Sequence, residues 1–200
     1  MLPGIEVPKE RFAVTSRLHA LRNKLTVIWE SLEAKLLLLA GNDFRVRRLR
    51  KRGVRIGERC LVYTTTFPAE PYLVRIGDHC AISSGTKFIT HDASWILFED
   101  AHPDMDVFGT IDVGDNTYFG LDVLVLPNTR IGSNCIIGTG AVVRGEIPDN
   151  SVVMGNPGRV VMKTSLLKPL LLNHKNRLDG MRKLPGHEKE RVLRRHFGIP

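Results

Sequence analysis

Val113, Phe119, Val125, Ile131, Ile137 and Val143 stand six residues apart, and Gly114, Gly120, Gly132 and Gly138 directly follow four of them. A period of six fits neither the 3.6-residue turn of an α-helix nor the simple alternation of a strand. It fits a chain that runs as a short strand, turns a corner and repeats. The aliphatic side chain then points into a narrow prism, and the small residue after it is expected to let the backbone bend at the corner.

The same phase runs through an earlier stretch: Ile56-Gly57 and Val62, then, past an interruption with Pro68 and Pro71, Ile76-Gly77, Ile82-Ser83 and Phe88-Ile89. It breaks between Phe88 and Val113, a gap of 25 residues holding His91, Asp92, Trp95, Glu99, His102, Asp104 and Asp106. A long insertion of that composition suits a loop that carries function. Cys60, Cys80 and Cys135 each lie four residues after a repeat aliphatic (Ile56, Ile76, Ile131), so they read as small buried core residues rather than as a disulfide or reactive thiols.

Charge divides the 200 residues into three. Residues 1–52 carry 12 Lys/Arg against 5 Asp/Glu, residues 163–200 carry 10 against 3, and residues 53–162 carry 7 against 13. Residues 9–40 have apolar side chains at three- and four-residue steps, including Trp29, which predicts a helix stopped at Gly41-Asn42 and able to cap one end of the prism. The following basic run, Arg45, Arg47, Arg48, Arg50, Lys51 and Arg52, reads either as a solvated connector or as a site for an anionic lipid, nucleotide or phosphorylated carrier. Residues 164–178 and 186–197 are expected to hold short helices, separated by Gly180 and Pro185. Met1 to Pro8 has no basic start and the longest apolar run, Leu36 to Ala40, is too short to span a bilayer, so a cytoplasmic protein is expected. The resulting division is 1–52 (helix and basic connector), 53–163 (repeat region with a loop at 89–112) and 164–200 (basic extension).

The repeats, the Phe88-Ile89-Thr90-His91-Asp92 segment, Ile137-Gly138-Thr139-Gly140-Ala141-Val142-Val143 and the closing Gly155-Asn156-Pro157-Gly158-Arg159-Val160-Val161 together resemble the hexapeptide-repeat acyltransferases, over roughly residues 54–163. Gly158 stands where that family usually has Ala. Within the family the resemblance is to the sugar O-acetyltransferases of polysaccharide and lipopolysaccharide pathways. It implies a mainly β fold, a left-handed parallel β-helix with an N-terminal α-helix and a partly helical C-terminal extension. It also implies acetyl-CoA as co-substrate, a carbohydrate acceptor, and a homotrimer whose active sites are shared between subunits. No metal and no nucleic acid are expected, and the basic flanks add peripheral contact with an anionic membrane.

Acetyl transfer to a hydroxyl needs a base, and histidine suits the task because its unperturbed pKa lies near neutrality. By its local sequence His91 matches the family's catalytic histidine. Its other ring nitrogen needs an acceptor. Adjacent Asp92 is assigned to hold it, which requires the backbone to turn there, since neighbours on an extended strand face opposite ways; Glu70 or a backbone carbonyl competes for the role. The resemblance puts an oxyanion-binding main-chain N–H near Gly120-Leu121. It puts coenzyme contacts near Thr139, Gly140, Ala141, Arg144, Asn156, Pro157 and Arg159, the arginines also being able to meet phosphates. Glu70 and Trp95 are assigned to the acceptor side, Trp95 either as a flat surface for a sugar ring or as a loop anchor.

Four other readings compete. A zinc enzyme of the same fold would use three histidines, yet no spacing gathers His79, His91 and His102, and His79 reads as an exposed strand residue. An antibiotic acetyltransferase would use the same histidine and cofactor. A nucleotide-sugar N-acetyltransferase would depend less on a base. A non-enzymatic β-helix would leave the His91 segment and the closing motif unexplained.

Overall fold

In the computed structural model the structure describes residues 41–200; the helix expected over 9–40, with Trp29, lies outside the described residues. The chain winds as a left-handed parallel β-helix of triangular cross-section. Face one stacks Arg55–Ile56, Val74–Ile76, Ile111–Val113, Thr129–Ile131 and Glu146–Ile147. Face two stacks Leu61–Val62, Ala81–Ile82, Tyr118–Phe119, Ile136–Ile137 and Ser151–Met154. Face three stacks Lys87–Phe88, Leu124–Val125 and Val142–Val143. The first two coils are in register at an offset of 20, as in Ile56 against Ile76 and Val62 against Ile82.

The six-residue series forms the core. Val113, Phe119, Val125, Ile131, Ile137 and Val143 are each no more than 2% exposed. Phe67 stacks on Phe88 at 5.4 Å between centroids, and Phe88 meets Phe119 edge-on at 5.9 Å, so one aromatic column fills the prism beneath the break in phase.

The corner between faces one and two repeats a four-residue unit in five successive coils, and it corrects the expected role of the glycines. Gly57, Gly77, Gly114 and Gly132 do not adopt left-handed backbone; Arg59, His79, Asn116, Asn134 and Asn150, at the third place of the unit, do, with φ between 53° and 58°. The glycines are needed for stacking: a Cβ on Gly114 would lie 2.6–2.7 Å from Ser133 Oγ, Ser133 N and Gly132 C of the next coil. His79 is therefore a turn residue, its Nδ1 3.0 Å from Asn116 Oδ1, and not the strand residue expected.

Two columns of hydrogen bonds run up this corner. Glu58 N, Asp78 N, Asp115 N and Ser133 N each donate to a side-chain oxygen of the coil above, at 2.7–3.0 Å. Cys60, Cys80, Thr117 and Cys135 each turn a thiol or hydroxyl toward a carbonyl of the coil above, at 3.1–3.3 Å. The three thiols are free and buried, and burial pushes Cys80 up to about 11. Cysteine here substitutes for threonine as a small donor in an apolar wall.

Helix α1, Asn42–Lys51, closes the first coil. Gly41, in extended backbone, is its N-cap residue, so the basic run that follows is helical. The Asn42 amide accepts from Val62 N at 2.8 Å and donates to Cys60 O at 2.9 Å, satisfying backbone groups the end of the stack would leave open. Buried Arg45 donates to Val62 O at 2.7 Å, and Arg50 to Ile56 O and Gly57 O at 2.9 and 2.7 Å. These two arginines hold the cap, a role neither reading of the basic run foresaw.

At the other end Ser151–Met154 pairs antiparallel with Arg159–Lys163 across the Gly155–Gly158 turn, which contains a cis Asn156–Pro157 bond. Helix α2, Thr164–Leu172, and helix α3, Gly186–Phe197, follow. Among the described residues no helix is long and apolar enough to cross a membrane.

Candidate active site

The corner between faces three and one is where the repeat fails. From the first coil Glu70 precedes a single 3-10 turn, Pro71–Leu73. From the second the chain leaves the prism after Ile89 and returns at Ile111. His91–Asp92 pairs antiparallel with Val107–Phe108 at the neck of this excursion, and Ala93–Phe98 forms a 3-10 helix beyond it. Thr90 at its base is fully buried, and its carbonyl accepts from Gly109 N at 2.7 Å.

His91 Nδ1 lies 3.0 Å from Glu70 Oε2, which also accepts from Thr90 Oγ1 at 2.8 Å. Burial works to raise the Glu70 carboxyl, but the hydrogen bonds from Thr90 and His91 outweigh it and hold the group below its ordinary value. An ionised carboxylate only accepts, so the neutral form of the imidazole carries its proton on Nδ1 and leaves the lone pair on Nε2. The imidazole is about half exposed, with Phe108 edge-on at 6.2 Å.

Of the two acidic candidates for holding His91, then, the structure brings Glu70 to the ring and turns Asp92 away. Asp92 accepts from Ser94 N at 2.9 Å and caps the 3-10 helix. Its carboxyl is held down by Ser94, with the charge of Arg144 and His91 adding. Adjacent residues on extended chain face opposite sides, which is why sequence proximity misled here. Trp95 is half-buried within the 3-10 helix, while Ile96, Leu97 and Phe98 are exposed around it.

Most of the residues assigned to the coenzyme gather at a different corner, between faces two and three. Gly120, Leu121, Thr139, Gly140, Asn156 and Pro157 share it, joined by Gly140 N donating to Leu121 O at 2.8 Å and Val142 N to Gly155 O at 3.1 Å. A Cβ on Gly120 would meet Thr139 N at 2.5 Å, so only glycine stacks there. Three assignments need correction. Gly120 N–H is consumed by Ile137 O at 2.8 Å, so of the two only the Leu121 N–H, which has no acceptor among the described residues, is left to offer. Ala141 is fully buried, its N–H directed to Gly138 O and its carbonyl taken by Leu124 N, so it has nothing to offer a ligand. Arg144 follows Val143 to the His91 corner, where its charge reaches Asp92. Arg159 is exposed at the start of the last strand.

Thr90 is the residue sequence reasoning missed. The signal was present: it lies 20 residues after Glu70, the offset that relates Ile56 to Ile76.

Comparison with known proteins agrees with this architecture. No family model matches the chain. It is 36% identical over 153 residues to protein CapG of Staphylococcus aureus, spanning 75% of this chain and 87% of that one. A stretch of 55 residues is 49% identical to a protein of S. aureus strain MRSA252, provisionally named an acetyltransferase, and covers 28% of each chain. Among solved structures, a galactoside acetyltransferase in complex with coenzyme A superposes with a TM-score of 0.55 at 18% identity, covering 84% of this chain and 90% of that one. A hexapeptide-repeat acetyltransferase of Vibrio cholerae gives 0.50 at 17% identity, covering 75% and 94%. With CapG aligned along most of its length and the same coil geometry in solved acetyltransferases, the chain belongs to the hexapeptide-repeat acyltransferases.

Proposed function

We propose that this protein transfers an acetyl group from acetyl-CoA directly to a hydroxyl of a carbohydrate, with His91 as general base. The observation that carries the reading is the half-exposed imidazole whose Nδ1 is held at 3.0 Å by Glu70. His91 Nε2 takes the proton of the acceptor hydroxyl as its oxygen attacks the thioester carbonyl. The Leu121 N–H is the donor proposed for the oxyanion. When the carbon–sulfur bond breaks, the thiolate of coenzyme A takes the proton back from His91, so the base is regenerated within one turnover.

Thr139, Gly140, Asn156, Pro157 and Arg159 are proposed to line the coenzyme groove. In one chain this corner and the His91 corner lie at opposite edges of face three, about five residues of extended chain apart, on the order of 15 Å. That separation exceeds hydrogen-bond reach, which supports a site completed by a neighbouring subunit. Face one turns Arg55, Arg75, Asp112, Arg130 and Glu146 outward, whereas face two turns out Leu61, Ala81, Tyr118 and Ile136. An apolar row of that kind favours burial against another copy, and a trimer is the assembly proposed.

The acceptor is proposed to be an uncharged sugar. Residues 91–110 hold five carboxylates and no Lys or Arg, which counts against the diphosphate of a nucleotide sugar. Trp95 is proposed to offer its ring to the sugar. The basic extension, 164–200, is proposed to rest on anionic lipid; sedimentation with vesicles that ignores lipid charge and salt would remove this part.

Thiol release from acetyl-CoA across a panel of sugars, glycosides and nucleotide sugars tests the whole reading. Turnover is expected with uncharged sugars, and His91→Ala is expected to lower kcat by about a thousandfold. A fully active His91→Ala variant would overturn the mechanism.

A further inference from the structure

We propose that Thr90 is a positioning residue for the transfer, its hydroxyl fixing the Glu70 oxygen that orients His91. The role rests on His91 being the base. Five threonines are buried among the described residues. Four of them, Thr64, Thr86, Thr117 and Thr129, donate to backbone carbonyls and serve the prism. Thr90 instead donates to a side chain, Glu70 Oε2, at 2.8 Å.

The geometry explains why a second donor matters. Glu70 comes from an irregular segment, with φ −103° and ψ 64°, and its flexible side chain has several rotamers to lose. Thr90 points into the prism and His91 out of it, as neighbours on extended chain must. The carboxylate spans the corner and is gripped from both sides at one oxygen, Thr90 on the dry side and His91 on the wet side. With the Thr90 bond removed, Oε2 is free to rotate toward water, and the imidazole loses the partner that selects its Nδ1–H tautomer. Thr90 itself has no exposed surface and so acts only through Glu70.

The test uses the full chain with Thr90→Val, which keeps the branched shape and deletes the donor, and Thr90→Ser, which keeps the donor. With acetyl-CoA and the best sugar from the panel, Thr90→Val is expected to lower kcat about tenfold, the effect of one lost hydrogen bond to a charged group, while the KM for acetyl-CoA stays within about twofold. Thr90→Ser is expected to recover kcat to within about threefold of the parent. In protein labelled with 15N-histidine and no ligand, the His91 ring signals, assigned by their loss in His91→Ala, are expected to report the Nδ1–H tautomer in the parent and Thr90→Ser. In Thr90→Val they should report a mixture. Should Thr90→Val not fold, Thr90→Ala deletes the same donor without adding bulk. A donor-deleted variant with the parent's kcat and tautomer overturns the role, as does Thr90→Ser behaving like Thr90→Val. An inactive His91→Ala beside a fully active Thr90→Val removes Thr90 alone; a fully active His91→Ala removes the base and this role with it.

Discussion

Two corners of one prism solve the same geometric problem in opposite ways. Between faces one and two the chain turns with one four-residue unit in all five coils. A glycine lets the coils touch in the first four, with Pro148 in its place in the fifth, while an acidic or hydroxyl side chain links neighbouring turns, a residue such as Asn accepts left-handed backbone, and a thiol or hydroxyl faces inward. Between faces three and one no two turns are alike: one carries Glu70 and a 3-10 turn, the next a 20-residue excursion, and the later ones are short. The regular corner satisfies its buried polar groups by repetition, and the histidine it exposes, His79, meets only a neutral amide, Asn116 Oδ1 at 3.0 Å. The irregular corner instead sets His91 against a carboxylate, Glu70, at the same distance. Regularity here marks structure, and its failure marks chemistry.

The strongest way to break that contrast is at the irregular corner. Glu70→Ala is expected to lower kcat by about a thousandfold, because an unheld imidazole samples the wrong tautomer and orientation. Its thermal midpoint is expected to stay within a few degrees of the parent. Glu70 also makes stability depend on pH in a fixed direction. Its folded pKa lies below the ordinary 4.5, so its contribution is present above that value and is lost as pH falls through the folded pKa. Glu70→Gln should therefore be less stable than the parent at pH 7 and equal to it once the pH is well below 4.5, as urea titrations at the two pH values would read.

At the regular corner the prediction inverts, with stability lost and chemistry kept. Gly114→Ala puts a Cβ within 2.7 Å of backbone in the next coil and is expected to cost about 3 kcal/mol. Gly140→Ala is the control: nothing lies within 4 Å, and only its φ of +70° opposes a side chain, for about 1 kcal/mol. If the two substitutions cost the same by urea titration, close stacking is not what selects glycine at the regular corner.

How much of this was legible beforehand divides along the same line. The six-residue phase located the prism, the buried cysteines and the insertion, because each coil repeats the same inward requirement. It misassigned the bend to the glycines, since a one-letter period does not separate close approach from left-handed backbone. The pairing of Glu70 with His91 depends on register between coils. That register was readable from the 20-residue offset of Ile56 and Ile76, but only once the two were known to stack. The burial of Ala141 and the commitment of Gly120 N–H are hydrogen-bond facts with no trace in the residue pattern.

A smaller effect distinguishes the thiols. Cys80→Val removes the donor that faces Gly114 O and is expected to cost about 1 kcal/mol, while Cys80→Thr keeps a donor and should cost less than half of that. With its pKa raised to about 11, the folded Cys80 should resist iodoacetamide at pH 8 and react once urea opens the coil.

Asp92→Ala gives the smallest expected change and sharpens the comparison most directly, since Asp92 and Glu70 are both acidic residues of the irregular corner. Proximity in sequence favours Asp92 as the partner of His91; register between coils favours Glu70. The Asp92 carboxylate is spent on Ser94 N at 2.9 Å, so its loss frays the start of the 3-10 helix carrying Trp95 and leaves the His91 tautomer untouched. The kcat of Asp92→Ala is accordingly expected within about threefold of the parent, with any loss appearing as a raised KM for the sugar, the mark of a binding contact rather than of the base. A fall in kcat as deep as that of Glu70→Ala would mean that Asp92 turns to His91 once substrate is bound, and that the irregular corner rearranges where the regular one cannot.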